Sequence, residues 1–134
     1  MSERLHLEVV TPERRLLSAA ADEVRLPGAL GELGVLPGHT PLLTSLGTGA
    51  VSYFQGAEMH RLAVQGGFAE LLPDRVTLLA RIAETPDEID VAAARTTLAE
   101  ATAALATAQA DDIERLTDVV RLATTRIEVG RRAD

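Results

Sequence analysis

The chain has 134 residues, a formal net charge of −7 and no cysteine. Its length allows one domain with a hydrophobic core, or a small domain with an appendage. The acidic balance disfavours nucleic-acid binding, and the lack of cysteine excludes disulfides and thiolate metal sites.

The first residues carry too many charges for a signal peptide. No apolar run approaches the roughly 20 residues that span a bilayer, so any membrane contact is expected to go through a partner.

Up to about residue 84 the sequence has the period-two pattern of β-strands. Short apolar runs lie at 5–9, 16–17, 24–26, 51–54, 61–64, 68–71 and 76–80. Turns are predicted at 11–13, 55–57 and 73–74, and Gly66-Gly67 is expected to be a tight connection between two strands. The spacing predicts an antiparallel β-sandwich or barrel.

The run Gly31–Leu42 contains three glycines and two prolines. This composition predicts a shaped loop rather than a helix or a regular strand. Local physics leaves two interpretations open, a simple turn between strands or a surface kept for function.

After residue 84 the period becomes that of a helix. Thr85-Pro86-Asp87-Glu88 carries the features of a helix start, and Asp111 with Glu114 predicts a second one. The apolar seams are Val91, Ala94, Leu98, Ala101, Leu105 and Ala108, then Ile113, Leu116, Val120, Ala123 and Ile127. They predict an antiparallel two-helix hairpin with helices of about 22 and 17 residues.

Half of the first seam is alanine, which forms helices well but buries little area. Such a pair could leave its docking site without unfolding, or it could pack closely in one permanent state. The sequence leaves both interpretations open.

No catalytic group is predicted. The three histidines, at positions 6, 39 and 60, lack the spacing of a metal site or of a base beside a nucleophile. Gly66-Gly67 lies outside any phosphate-binding motif, and the chain has no lysine to meet a phosphate. We therefore expect a non-enzymatic protein without a metal or cofactor.

Several segments resemble the epsilon subunit of F-type ATP synthases. They are GELGVLPGHTPLL at 31–43, QGGFAEL at 65–71, VTLLA at 76–80 and EIDVAAA at 88–94, and the opening strand and turn at 7–12 also fit. The resemblance covers essentially the whole chain. It implies a β-sandwich domain at 1–84 and a regulatory α-helical hairpin at 85–134.

In that family the sandwich grips the gamma subunit and sits on the ring of c subunits, so that proton-driven rotation reaches the alpha/beta catalytic head. The resemblance implies a non-catalytic part of the central stalk, peripheral to the cytoplasmic face of the bacterial inner membrane. By the same resemblance Glu32, Gly38, His39 and Pro41 would face the c-ring or the gamma subunit.

The hairpin of bacterial relatives can extend along gamma and block ATP hydrolysis in the head. The resemblance implies that basic residues of the second helix would meet acidic surfaces there. The available ones are Arg115, Arg121, Arg126, Arg131 and Arg132.

Some bacterial relatives bind ATP between the two helices through an Ile/Leu-Asp-x-x-Arg-Ala motif and an arginine of the second helix. Ile89 and Asp90 match this motif and Arg126 can match the second arginine, but Ala93 replaces the motif arginine. Alanine cannot supply bidentate phosphate recognition, so we expect weak or absent ATP binding.

Two other classes of function remain to be weighed. A stand-alone β-sandwich and helical-hairpin adaptor fits the composition and periodicity equally well, and only the motifs favour the epsilon subunit. A small enzyme or ligand-binding barrel is disfavoured by the shortage of aromatic and titratable residues.

Overall fold

The structure is a computed structural model, which describes residues 3–131. Eight strands are followed by a 3₁₀ turn at Pro86–Glu88 and two helices. The elements are β1 (Leu5–Val10), β2 (Arg15–Ala21), β3 (Glu23–Gly28), β4 (Gly31–Val35), β5 (Leu42–Ser45), β6 (Thr48–Gln55), β7 (Glu58–Leu72), β8 (Arg75–Glu84), α1 (Val91–Leu105) and α2 (Ala110–Arg131). The predicted β-sandwich followed by a helical hairpin is confirmed.

The strands pair in the order β2-β1-β8-β7-β6-β3-β4, with β5 added beside β7. The pairs are antiparallel, as the predicted sandwich requires, except β1 with β8, which run parallel. The turns predicted near residues 12, 56 and 73 each separate two strands as expected.

The hydrophobic core lies within the sandwich. Its buried cluster takes residues from Leu5 to Ala83 and includes no residue of either helix. On β1, for example, Leu5, Leu7 and Val9 are buried and alternate with more exposed neighbours, as the period-two pattern requires. The sandwich therefore has a core of its own.

The prediction of two strands joined at Gly66-Gly67 was wrong, because β7 runs through both glycines. Their φ values are +74° and +107°, which side chains rarely adopt. A Cβ on Gly67 would also collide with the carbonyl oxygen of Leu79. Leu62 and Val64 belong to the core before the glycines, and Ala69 and Leu71 belong to it after them. The strand thus bends here, and it pairs with β6 before the bend and with β5 after it.

The prediction of a loop over Gly31–Leu42 was wrong at its two ends. Gly31–Val35 forms β4, which pairs in register with β3, and Leu42 begins β5. β4 is an edge strand, with β3 as its neighbour. The irregular segment is therefore limited to residues 36–41.

The first helix begins later than predicted. Thr85 starts only the 3₁₀ turn, in which its N–H donates to the carboxylate of Glu88 at 2.9 Å. Ile89 is extended, and α1 begins after Asp90, whose carboxylate accepts from the N–H of Ala93 at 3.0 Å. Asp90 is therefore the N-cap of α1.

The helix lengths also differ from the prediction. α1 has 15 residues and α2 has 22, instead of about 22 and 17. Because α2 starts at Ala110, Asp111 lies in its first turn and is not its cap. Ile113 is half exposed, so it does not belong to the seam, whereas Ala94, Ala101, Leu116 and Ala123 are buried as predicted.

The two helices pack on each other, and α2 packs on β6 and β7. Gly130 allows a close approach near the base of the hairpin, because a Cβ there would lie 2.6 Å from Cγ2 of Val91 and 3.0 Å from Cγ2 of Ile89. In this structure the hairpin is docked against the sandwich.

Candidate partner-binding surfaces

Three of the predicted contact residues lie in the irregular segment 36–41. The N–H of Gly38, at a φ of +91°, donates to the carbonyl of Pro73 at 2.7 Å. His39 holds its ring by a 2.6 Å contact from Nδ1 to the carbonyl of Thr40, and Pro41 is exposed. The N–H of Gly38 thus fixes the segment beside the β7–β8 turn.

Glu32 has different neighbours from His39. It lies exposed on β4 and lines an open groove of about 550 Å³ between the β3–β4 hairpin, β6 and α2. Arg121 and Glu128 of α2 and Arg61 of β7 line the same groove. The docked hairpin therefore brings Glu32 together with Arg121, which we had expected to meet different partners.

The basic residues of α2 differ in availability. Arg115 and Arg121 are exposed and form ion pairs with Asp112 and Asp118 of their own helix, at 3.3 and 3.9 Å. Arg126 is partly buried and binds Glu84. The side chains of Arg131 and Arg132 lie outside the described residues. In the docked state Arg115 and Arg121 are thus accessible, whereas Arg126 already has a partner.

An exposed apolar patch on the sandwich was not predicted from the sequence. Phe68 and Leu79 are a cross-strand pair, exposed by 55% and 54%, and Leu43 is exposed by 70%. Leu43 pairs with Glu70 on the same outward side of β7, and Val10 pairs with Leu79 on β1. Together with Pro12, Phe68 and Leu79 line an almost wholly apolar groove of about 430 Å³. A contiguous apolar surface of this kind is typical of a protein interface.

A sequence signal for the patch was available. Beyond Gly66-Gly67, the alternation that buries Ala69 and Leu71 puts Phe68 on the solvent side. The prediction missed it because the bend at the glycines changes which residues face the core.

The candidate nucleotide-binding residues do come together in the structure. Ile89, Asp90, Ala93 and Arg126 line one cleft of about 220 Å³ at the base of the hairpin. Glu84 and Glu88 line the same cleft. The volume lies below the roughly 300–1,000 Å³ of ordinary ligand pockets.

The charges of this cleft oppose a polyphosphate. Arg126 faces three carboxylates, those of Glu84, Glu88 and Asp90. Its Nε and NH2 groups donate to the two oxygens of Glu84 at 2.8 and 2.9 Å, which is a bidentate pair. Asp90 is engaged as the cap of α1. The groups that would bind a nucleotide are therefore occupied by contacts within the chain.

The described part of the chain contains no group of three His, Asp or Glu side chains that could hold a metal ion. Neither α1 nor α2, as described, is long and apolar enough to cross a membrane.

Comparison with protein families gives a match over all eight strands of the sandwich. The family described as "ATP synthase, Delta/Epsilon chain, beta-sandwich domain" matches residues 4–86. The ATP synthase epsilon chain 2 of Syntrophotalea carbinolica is 44% identical over 134 residues, which cover 98% of this chain and 97% of that protein. The ATP synthase epsilon chain of Geobacter metallireducens is 47% identical over 105 residues, covering 78% and 76%.

Solved structures with the same fold come from mitochondrial ATP synthases. A chain in the Euglena gracilis OSCP/F1/c-ring structure superposes with a TM-score of 0.81 at 20% identity, covering 96% of this chain and 81% of that one. A chain in the Tetrahymena thermophila central stalk and c-ring structure gives a TM-score of 0.61 at 16% identity, covering 93% and 97%. At these identities the likeness concerns the fold.

Proposed function

This chain belongs to the family of ATP synthase epsilon chains, and on that premise we propose that it works in the central stalk of an F-type ATP synthase. It acts there as a non-catalytic subunit that passes rotation between the membrane ring and the catalytic head. The observation that carries the proposal is the match of nearly the whole chain, sandwich and hairpin together, to bacterial epsilon chains. A stand-alone adaptor is disfavoured, because its sequence would have no reason to follow these chains from end to end.

We propose that the sandwich has two partner surfaces. The apolar patch formed by Val10, Leu43, Phe68 and Leu79 supplies the buried area that a lasting contact with the gamma subunit needs. The irregular segment 36–41 with His39, and Glu32 on β4, meets the polar loops of the c-ring. The second surface does not need a large buried area, because the ring and the stalk are already joined through gamma.

The division into a sandwich at 1–84 and a hairpin at 85–134 assigns regulation to the hairpin. The exposed guanidinium groups of Arg115 and Arg121 are the ones that an acidic surface of the alpha/beta head can reach first. Arg126 joins them only after it leaves Glu84. The hairpin thus inhibits ATP hydrolysis when it is released and extended along gamma.

The protein is a peripheral part of a membrane-associated complex. The relatives named above are bacterial chains, which supports a position on the cytoplasmic face of the inner membrane. Its contact with the membrane runs through the c-ring.

Capture of the tagged chain from solubilised membranes of its own organism tests the stalk assignment. We expect the gamma, alpha, beta and c subunits to co-purify. Phe68→Glu places a charge in the apolar patch and should reduce recovered gamma about tenfold or more. Met59→Glu is the matched control, since Met59 is a partly exposed apolar residue of the same strand outside the patch. Recovery of the chain without gamma would contradict the stalk assignment.

Deletion of residues 88–134 tests the regulatory role. ATP hydrolysis by the assembled enzyme should rise when the hairpin is absent, while gamma still co-purifies through the sandwich. Unchanged hydrolysis in an enzyme that has incorporated the shortened chain would refute inhibition by the hairpin.

Isothermal titration calorimetry tests the cleft at the base of the hairpin. ATP should bind the isolated chain more weakly than micromolar, with a Kd above the micromolar range, because Ala93 offers no guanidinium and Arg126 is paired with Glu84. Ala93→Arg should tighten binding about tenfold by adding one charge-assisted contact. Thr96→Arg, on an exposed position of α1 outside the lining of the cleft, is the control. Micromolar binding by the unaltered chain would show that the cleft accepts ATP.

A further inference from the structure

The hairpin rests on a part of the sheet that is mostly polar. Below α2 the outward residues of β6 and β7 form three cross-strand pairs, Thr48–Gln65, Ala50–Ala63 and Ser52–Arg61, which we call the docking face. Their larger apolar neighbours, such as Leu62 and Val64, belong to the core on the other side. Alanine buries little apolar area, so the sheet supplies only a small hydrophobic contribution to docking.

The helix side of this contact is also mixed. Leu122, Thr125 and Val129 are buried and share one side of α2 with Glu128, which reaches the sheet. The hydroxyl of Thr125 is satisfied within the helix by the carbonyl of Arg121 at 2.9 Å. The buried residues on this side of α2 thus include both apolar and polar groups.

Among the described residues, three polar contacts join α2 to the strands. Arg126 forms its bidentate pair with Glu84 at the end of β8, at 2.8 and 2.9 Å. Arg61 Nη1 contacts Glu128 Oε1 at 2.7 Å, and the amide of Gln65 donates to the carbonyl of Asp118 at 3.0 Å. Each contact pairs one group of the sandwich with one group of α2.

The hairpin itself is tied together independently of these contacts. α1 and α2 pack along their own seam, where Ala94, Ala101 and Ala123 are buried, and Gly130 lets the ends approach. Breaking the contacts between α2 and the sheet therefore leaves the pairing of the two helices intact.

We propose that the hairpin is held on the sandwich by a polar latch, formed by Glu84–Arg126, Arg61–Glu128 and Gln65 with the Asp118 carbonyl, in which Glu84–Arg126 is the principal contact. Loss of either charge of that pair releases the two helices as one unit. The inference deepens the proposed regulatory role of the hairpin and rests on it for its biological meaning. Arg126 matters more than Glu84, because its removal leaves the carboxylate of Glu84 without its bidentate partner in a cleft that Glu88 and Asp90 also line.

Pulsed electron paramagnetic resonance on the full chain tests the latch. The chain has no native cysteine, so Ala57→Cys and Thr107→Cys, two exposed turn positions, place nitroxide labels on the sandwich and on the tip of the hairpin. The unaltered pair should give one docked distance population. Glu84→Gln should raise the ratio of released to docked chains about tenfold, and Arg126→Gln should raise it further. Arg115→Gln, which breaks a pair inside α2, is the matched control and should leave the ratio unchanged.

Exchange of the two charges provides a rescue. Glu84→Arg combined with Arg126→Glu should restore much of the docked population, and circular dichroism should show full helix content in every variant. The latch is overturned if both Gln variants keep the docked distance, if the charge exchange releases the hairpin as far as Arg126→Gln does, or if release coincides with loss of helix. Because these readouts need only the isolated chain, unchanged hydrolysis on hairpin deletion would refute the regulatory role without touching the latch.

Discussion

The sandwich and the hairpin are held by different kinds of interaction. The sandwich encloses an apolar cluster drawn from its strands, in which residues such as Leu7, Val24 and Leu78 have no exposed surface. The hairpin has an alanine-rich seam and meets the sheet through ion pairs and a side-chain amide. Apolar burial holds the sandwich together permanently, whereas the polar contacts of the hairpin with the sheet can be exchanged for contacts with a partner.

The largest effect is expected at the bend of β7. Gly67→Ala should lower the free energy of unfolding by about 3 kcal/mol or more, since it combines an unfavourable φ with a collision against the Leu79 carbonyl. Gly56→Ala is the matched control, because Gly56 also has positive φ but has open space around it. It should cost about 1 kcal/mol. Equal effects of the two substitutions in urea denaturation would contradict the close backbone contact.

A smaller effect is expected within the hairpin. Gly130→Ala should improve helix propensity but drive a methyl group into Val91 and Ile89. We expect a net cost of about 1–2 kcal/mol, confined to the hairpin and visible as faster hydrogen exchange in α1 and α2.

Thr124→Ala, at an exposed position of α2, is the control for propensity alone. Slower exchange in Gly130→Ala, or an effect that spreads to the strands, would argue against close packing at the base of the hairpin.

The smallest effect concerns pH at the junction of the two parts. The N–H of Thr85 and then the guanidinium of Arg14 hold the pKa of Glu88 below its ordinary value of 4.5. A carboxyl group whose pKa is lowered in the folded state contributes its full stabilisation above pH 4.5. This stabilisation of the folded state is lost as the pH falls through the lowered pKa.

The melting temperature of Glu88→Gln should therefore lie about 2–4 °C below that of the unaltered chain near neutral pH. The gap should close as the pH falls from about 5 to about 3. Glu100→Gln, on an exposed position of α1, should show no such gap. A gap that widened in acid would contradict the role given to Glu88.

Much of the fold could be predicted from the sequence because alternation and caps are local. The strands of the core, their turns and the presence of two helices all follow from residues close in sequence. The errors arose where two local preferences compete. Asp90 caps α1 in place of Thr85, and Gly66-Gly67 bends one strand instead of joining two.

The surfaces were harder to predict, because they depend on what folding brings together. The apolar patch combines β1, β5, β7 and β8, and no single segment contains it. The candidate nucleotide-binding residues were found from their sequence motif, and the structure does place them in one cleft. The pairing of Arg126 with Glu84, which are 42 positions apart, has no local pattern that would reveal it.

The central claim is that the sandwich is complete without the hairpin. The most direct test is to compare the chain ending at Glu88 with the full chain, using two-dimensional amide NMR spectra and thermal unfolding. The account predicts that the shortened chain keeps dispersed strand resonances, with changes concentrated on the docking face, and a melting temperature within about 5 °C of the full chain. Collapse of the dispersion, or loss of a cooperative transition, would show that the sandwich needs the helices and would contradict the account.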